Sequence, residues 1–208
     1  KGDFVYISHY TTGLKILDIY DPSDPIEVAA YDTYPDDDSD GFYGCWGAYP
    51  FTANNYVYAS DMQYGLFVFS FDDVEAGWVY GTITDGGQSV AGVEIKSLLN
   101  GKIFTSNLNG EYEFGFPEGD HEFEFWDNGI YIETQTITIY PHQITGHNII
   151  FGGDLVGDVN YDGVLNILDI VILVNWILDG EYHHSGDIDN NGLLNILDIV
   201  QLVNLILS

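Results

Sequence analysis

Asp158-Val159-Asn160-Tyr161-Asp162-Gly163-Val164-Leu165-Asn166-Ile167-Leu168-Asp169 returns 29 residues later as Asp187-Ile188-Asp189-Asn190-Asn191-Gly192-Leu193-Leu194-Asn195-Ile196-Leu197-Asp198. Residues 157–178 align with 186–207 without a gap, and fifteen of the twenty-two positions are identical. Both copies place oxygen-bearing side chains at positions 1, 3, 5, 9 and 12 and glycine at position 6. A twelve-residue loop with this spacing wraps six to eight oxygens around calcium. The candidate side-chain ligands are Asp158, Asn160, Asp162, Asn166 and Asp169, then Asp187, Asp189, Asn191, Asn195 and Asp198. Position 7 offers a backbone carbonyl, from Val164 and Leu193. At Gly163 and Gly192 the chain must turn sharply, which predicts a positive φ. Neither loop carries Cys or His at a ligand position, so zinc is excluded. Two Ca2+ ions, one per loop, are the expected cofactors.

An apolar helix is predicted after each loop, over 167–178 and 196–207. Both are apolar nearly all round, which calls for burial on more than one side. One face of each is expected to pack on its duplicate, leaving the rest as a docking surface. Nothing helical precedes either loop, and Phe151-Gly152-Gly153-Asp154 reads as coil. Loop plus exiting helix, twice, with Asp at the last ligand position, resembles a type I dockerin over about 51 residues (158–208). The resemblance implies metal-coupled folding and a cohesin-like or other protein partner. It places the partner contact around loop positions 10 and 11, which are Ile167, Leu168, Ile196 and Leu197. Many dockerins carry a hydroxyl residue there. Ile and Leu instead imply hydrophobic recognition and leave the partner's identity open; burial of the four in the core is the alternative reading.

Residues 1–73 have a different texture, rich in Tyr and Phe and alternating as strands do. Phe4-Val5-Tyr6-Ile7-Ser8 with Gly13-Leu14-Lys15-Ile16-Leu17 is matched by Tyr56-Val57-Tyr58-Ala59-Ser60 with Gly65-Leu66-Phe67-Val68-Phe69, at an offset of 52 in both halves. Each unit is a strand, a turn holding Gly, and a second strand. Asp21-Pro22-Ser23-Asp24-Pro25 between them is a turn signal. A hairpin repeated at roughly 40–50 residues points to propeller blades. Gly13-Leu14-Lys15-Ile16-Leu17-Asp18-Ile19 and the turn after it resemble the LVIVD repeat of bacterial surface β-propellers. Gly44-Cys45-Trp46-Gly47-Ala48-Tyr49-Pro50, with Ala59-Ser60-Asp61 and Gly65-Leu66-Phe67-Val68, is similar to the last blade of the choice-of-anchor B family. A closed propeller has at least about four blades. The resemblance therefore implies incomplete blades and a C-terminal piece of a longer protein.

Residues 77–151 read as a small β-sandwich of short strands and regular turns. Tyr112, Phe114 and Phe116 alternate with Glu111, Glu113 and Gly115, and Phe123 and Phe125 repeat the pattern. Gly81-Thr82-Ile83-Thr84-Asp85, Val90-Ala91-Gly92-Val93, Asn109-Gly110-Glu111-Tyr112-Glu113-Phe114 and Pro117-Glu118-Gly119 resemble the carboxypeptidase regulatory-like, transthyretin-like domain. That family is mostly a spacer and brings no catalytic residues. The expected fold is thus mainly β with a small α C-terminal module. Partial propeller hairpins (1–73), a transthyretin-like sandwich (77–151) and a dockerin-like pair of calcium loop-helix motifs (154–208) follow one another.

Composition narrows the function. Four Lys+Arg stand against 33 Asp+Glu, a formal charge of −29. Nucleic acid and anionic membrane surfaces are poor partners for such a chain. The longest apolar run, Ile170–Val174, is too short to span a bilayer. A single cysteine, Cys45, excludes an internal disulfide, and its aromatic neighbours point to a buried thiol. The acidic run Asp36-Asp37-Asp38 with Asp40 reads as a solvated loop, as do His183 and His184. No catalytic residues are assigned. The expectation is an extracellular or cell-surface, non-catalytic calcium-binding protein that attaches or assembles through its C-terminal module. The alternatives are a self-assembling filament or surface-layer subunit pairing through free strand edges, and a C-terminal fragment of a secreted propeller enzyme.

Overall fold

The computed structural model describes residues 1–35, 41–85, 87–151 and 155–208. The chain is mainly β with two C-terminal helices, and none of the sheets among the described residues closes into a barrel. It divides into two compact units, Lys1–Val79 with Gly115–Gly119 and Thr138–Thr145, and Tyr80–Phe114 with Asp120–Ile137 and Gly146–Ser208. The acidic run 36–40 and the coil at 152–154 lie outside the described residues.

The first unit holds two three-stranded antiparallel sheets. β1 (Phe4–Ser8), β2 (Leu14–Asp18) and β3 (Ile26–Tyr31) form one; β4 (Cys45–Tyr49), β5 (Val57–Asp61) and β6 (Gly65–Phe69) form the other. Both predicted hairpins are present, with Phe4 opposite Asp18 and Val57 opposite Phe69. Each gains a third strand, β3 after the first and β4 before the second. Gly13 turns the first hairpin at φ +78°, and a Cβ there would meet the Tyr31 carbonyl at 2.0 Å. Leu14 and Ile16 of β2, and Val57 and Ala59 of β5, are buried at alternate positions, the period-2 pattern of a sheet with one packed face. Cys45 is buried among them, and burial, followed by the nearby Asp61 charge, pushes its thiol up. The buried thiol read from the sequence is thus what the structure has.

Two buried aspartates close these sheets. Asp18 accepts from the amides of Tyr20 (2.8 Å) and Ala76 (2.7 Å) and pairs with His142 Nε2 at 3.2 Å. Asp61 accepts from the Thr33 hydroxyl at 2.7 Å and from the amides of Gln63 and Tyr64, both at 2.8 Å. Burial alone would raise the Asp61 carboxyl, but these donors outweigh it and hold it below the usual range.

The remaining strands are β7 (Ala76–Asp85), β8 (Gln88–Ser89), β9 (Glu94–Ser97), β10 (Ile103–Thr105), β11 (Glu111–Pro117), β12 (Gly119–Asp127), β13 (Ile130–Ile139), β14 (Ile144–Gly146) and β15 (Ile149–Phe151). One sheet has the order β10-β9-β12-β13; the other has β11-β7-β14, with β8 and a parallel β15 also on β7. In the second unit the inner faces meet through aromatic rings. Phe114 of β11 lies 5.2 Å from Phe123 of β12, centroid to centroid, and Phe104 of β10 stacks on Phe114 at 4.0 Å. The alternation of Phe with Glu dictates this arrangement, since it gives each strand one dry and one wet face.

Helices α1 (Ile167–Asp179) and α2 (Ile196–Leu207) follow, each within a residue of its predicted span. Gly180, at φ 72°, ends α1 by donating its amide to the Trp176 carbonyl. The two helices share a core of Val159, Leu173, Trp176 and Leu202, and Ile130 of the sandwich packs against it.

Gly81 is the tightest point of the sandwich, because a Cβ there would meet the His147 carbonyl at 1.8 Å. Gly81→Ala is expected to cost about 1–3 kcal/mol through overpacking. Gly146→Ala, with nothing within 4 Å of its Cβ, should stay within about 0.5 kcal/mol of wild type. Urea midpoints of the two variants check both expectations.

Candidate metal centre

The duplicated loops adopt matching backbones. Gly163 (φ 79°) and Gly192 (φ 81°) have the positive φ expected at position 6. Position 4 is also left-handed, at Tyr161 (φ 57°) and Asn190 (φ 55°). Nothing in the residue pattern marks this at Tyr161, since aromatic residues seldom adopt that conformation. Asn190 is a residue type that tolerates it.

The first aspartate of each loop gathers the turn. Asp158 accepts from the amides of Asp162 (3.2 Å) and Gly163 (2.8 Å); Asp187 accepts from those of Asn191 (3.0 Å) and Gly192 (2.7 Å). The last aspartate ties the loop to the helix. Asp169 accepts from Val159 N at 3.1 Å and Asn166 N at 2.8 Å; Asp198 accepts from Ile188 N at 3.0 Å and Asn195 N at 2.9 Å. Asn166 and Asn195, expected at position 9, are the N-caps of α1 and α2, their oxygens accepting from the amides of Leu168 (2.8 Å) and Leu197 (2.9 Å). Asp169 and Asp198 complete the capping boxes. Asp198 also accepts from Asp189 N at 3.5 Å, and both position-12 carboxylates retain lone pairs for a further partner.

Burial gives the loops their electrostatic character. Asp169 and Asp198 are 0% exposed, Asp158 5% and Asp187 7%. Residues 155–208 contain no Lys or Arg, all four lysines lying at positions 1, 15, 96 and 102. Buried carboxylates without a compensating charge are costly. In the second loop, ligand oxygens of Asp187, Asp189 and Asp198 lie within 4.8 Å of one another, the one such trio found among the described residues. In the first loop Asp162 is turned toward its own backbone, accepting from Val164 N at 2.8 Å and from Asn160 Nδ2 at 2.9 Å. The position-7 carbonyls of Val164 and Leu193 accept from Asn166 Nδ2 (2.8 Å) and Asn195 Nδ2 (3.4 Å). This is an all-oxygen donor set with a negative charge to balance, and it suits a hard divalent cation.

The linker between the copies corrects the sequence reading. His183 is 3% exposed and stacks on Trp176 at 3.9 Å, rather than being solvated. Trp176 offers an apolar face that the linker folds back to cover. Tyr182 Oη donates to Asp187 at 3.0 Å, and burial together with that bond pushes the phenol up to about 12. Neither role leaves a mark in residue spacing. The four residues assigned to partner contact are at the surface: Ile167 is 73% exposed, Leu168 48%, Ile196 64% and Leu197 56%. Their burial in the core is not what the structure shows.

A family model described as the LVIVD repeat matches residues 1–33, the stretch that holds β1, β2 and β3. No curated protein matches the chain. Among solved structures, the chain is similar to an interface mutant of the type II cohesin-X-dockerin complex from Acetivibrio cellulolyticus, at 17% identity and a TM-score of 0.37, covering 62% of this chain and 94% of that one. It is also similar to the minor pilin GBS52 of Streptococcus agalactiae, at 12% identity and a TM-score of 0.32, covering 50% of this chain and 62% of that one. Chlorocatechol 1,2-dioxygenase from Pseudomonas putida follows at 12% identity and a TM-score of 0.30, covering 40% and 62%. At such scores these likenesses transfer no function.

The acidic trio of the second loop makes opposite predictions with and without metal. Asp189→Asn relieves like-charge repulsion, so the melting temperature in chelator should rise. In calcium the same change should lower it, with affinity at that site falling about tenfold. Calorimetric scans in the two conditions check the reversal of sign.

Proposed function

We propose that the loops at 158–169 and 187–198 each bind one calcium ion, and that the loaded module attaches the protein to a protein partner. The buried aspartates at loop positions 1 and 12, in a segment without a Lys or Arg, carry this reading. Asp158, Asn160, Asp162, the Val164 carbonyl, Asn166 and Asp169 hold the first ion. Asp187, Asp189, Asn191, the Leu193 carbonyl, Asn195 and Asp198 hold the second. Calcium supplies positive charge where the fold has buried negative charge, and it draws the two ends of each loop together. The chemistry requires no catalytic group.

The docking surface is formed by Ile167 and Leu168 with their counterparts Ile196 and Leu197. These side chains stand at the start of each helix, beside the position-12 aspartates, so calcium in the loops orders the surface that the partner meets. The exposed set is apolar, and the partner is a protein with a complementary apolar patch, cohesin-like or otherwise. Millimolar calcium, which extracellular modules of modest affinity require, fits a secreted or cell-surface setting. In this reading residues 1–73 are LVIVD-type blades and residues 77–151 a regulatory-like spacer.

A second reading, self-assembly through strand edges, draws on β6. It ends its sheet with Leu66 65% exposed and Val68 51% exposed. An apolar edge strand of this kind invites pairing with another chain. Sedimentation of the purified chain in calcium separates the two, since attachment through the module alone leaves it monomeric.

Calorimetric titration is expected to give two ions per chain, and chelator should abolish the helical circular dichroism of residues 158–208. An unchanged spectrum in chelator would sink the proposal. Ile167→Asp with Ile196→Asp should retain both ions while losing calcium-dependent binding to immobilised cohesin modules, if such a module is the partner class.

A further inference from the structure

Tyr161, at loop position 4, turns away from its loop toward the sandwich. Its ring lies edge-on to Phe151 of β15, centroids 6.1 Å apart. Its hydroxyl is buried beside Asp85 and Ser185, outside good hydrogen-bond geometry to either. Asp85 is the last residue of β7. It lines a half-open pocket of about 140 Å³, of mixed polar and apolar lining, together with His184, Ser185 and the position-1 aspartates of both loops, Asp158 and Asp187. One carboxylate of the sandwich therefore lines the same pocket as the first ligand of each proposed calcium site. A second, Asp127 at the end of β12, is 3% exposed and interacts electrostatically with Asp85, His183 and His184.

In a partly enclosed site of reduced dielectric, a charge acts on an ion it does not touch, because Coulomb energy falls only with the first power of distance. Each loop brings three carboxylates of its own. When the loops are empty, Asp85 adds repulsion against Asp158; when an ion is present, it adds attraction. Both effects favour the loaded form.

We infer that Asp85 is an outer electrostatic determinant of calcium affinity, so that the sandwich as well as the loops sets how tightly the ions are held. The inference rests on the calcium reading above. By reciprocity, calcium strengthens the seating of the loop-helix module on the sandwich by the same factor that the seating strengthens calcium binding.

Calcium titration calorimetry on the full chain tests this with Asp85→Asn against Glu113→Gln. The latter makes the same change in net charge on the exposed face of β11. Asp85→Asn should weaken at least one site by about fivefold or more, and Asp85→Glu should restore most of the loss. The deficit should persist in 0.5 M KCl, since shielded charges are screened far less than exposed ones. Gln88→Glu, which places a new carboxylate on the same cavity wall, should tighten binding and needs no buried group removed. Equal affinities for Asp85→Asn and Glu113→Gln, or no tightening from Gln88→Glu, overturn the inference alone. Absence of calcium binding in the wild type overturns both it and the function on which it rests.

Discussion

Four aspartates, at positions 1 and 12 of the two loops, are buried in a segment that has no Lys or Arg. The C-terminal architecture follows from how the fold copes with them. Each accepts at least two backbone amides, in charge-assisted hydrogen bonds stronger than those between neutral groups. Those amides come from the loop's own turn and from the residue that starts the helix. The carboxylates thus fix where the helix begins and how it leaves the loop, and with that which side chains face outward. The amides leave the net negative charge in place, which is the electrostatic ground of the proposed cation sites.

The two loops solve the problem with the same number of charges placed differently. The first has carboxylates at positions 1, 5 and 12, the second at 1, 3 and 12. In the first loop the position-5 carboxylate of Asp162 also serves as the acceptor that shapes the turn. In the second that task falls to the neutral amide of Asn191, which accepts from Leu193 N at 2.9 Å. Asp189 is released from backbone duty and lies with Asp187 and Asp198. Exchanging Asn and Asp between two positions therefore moves one charge from the turn to the acidic trio, while the backbones of the two loops match.

The loops and helices were legible in the sequence because their geometry is local. Twelve consecutive residues contain both the donors and the turn, and the apolar run after each loop marks the helix. The hairpins β1–β2 and β5–β6 were legible for the same reason, a glycine turn between alternating strands. β4 was harder to read, since a register shift between Cys45 and Gly47 breaks the alternation. β3 joins its sheet across the Asp-Pro turn, a longer-range pairing that no short pattern announces. Tyr161 and His183 were the least legible. Their surroundings are supplied by other elements, Phe151 of β15 and Asp85 of β7 for one and Trp176 of α1 for the other. A tyrosine in an acidic loop and a histidine in a linker look solvated until the neighbours are known.

The duplication repeats an exposed apolar set at matching positions of the two helices. Ile167, Leu168, Val171 and Leu178 are all exposed, and so are Ile196, Leu197, Val200 and Leu207, each 29 residues on. Trp176 breaks the match. Its counterpart is Leu205, which is 39% exposed, whereas Trp176 is 8% exposed beneath His183. The linker after α1 folds back over that ring through His183, so the larger side chain stands where a local neighbour gives it cover. Sequence symmetry thus yields at a position whose surroundings are set by a segment outside the duplicated loop and helix.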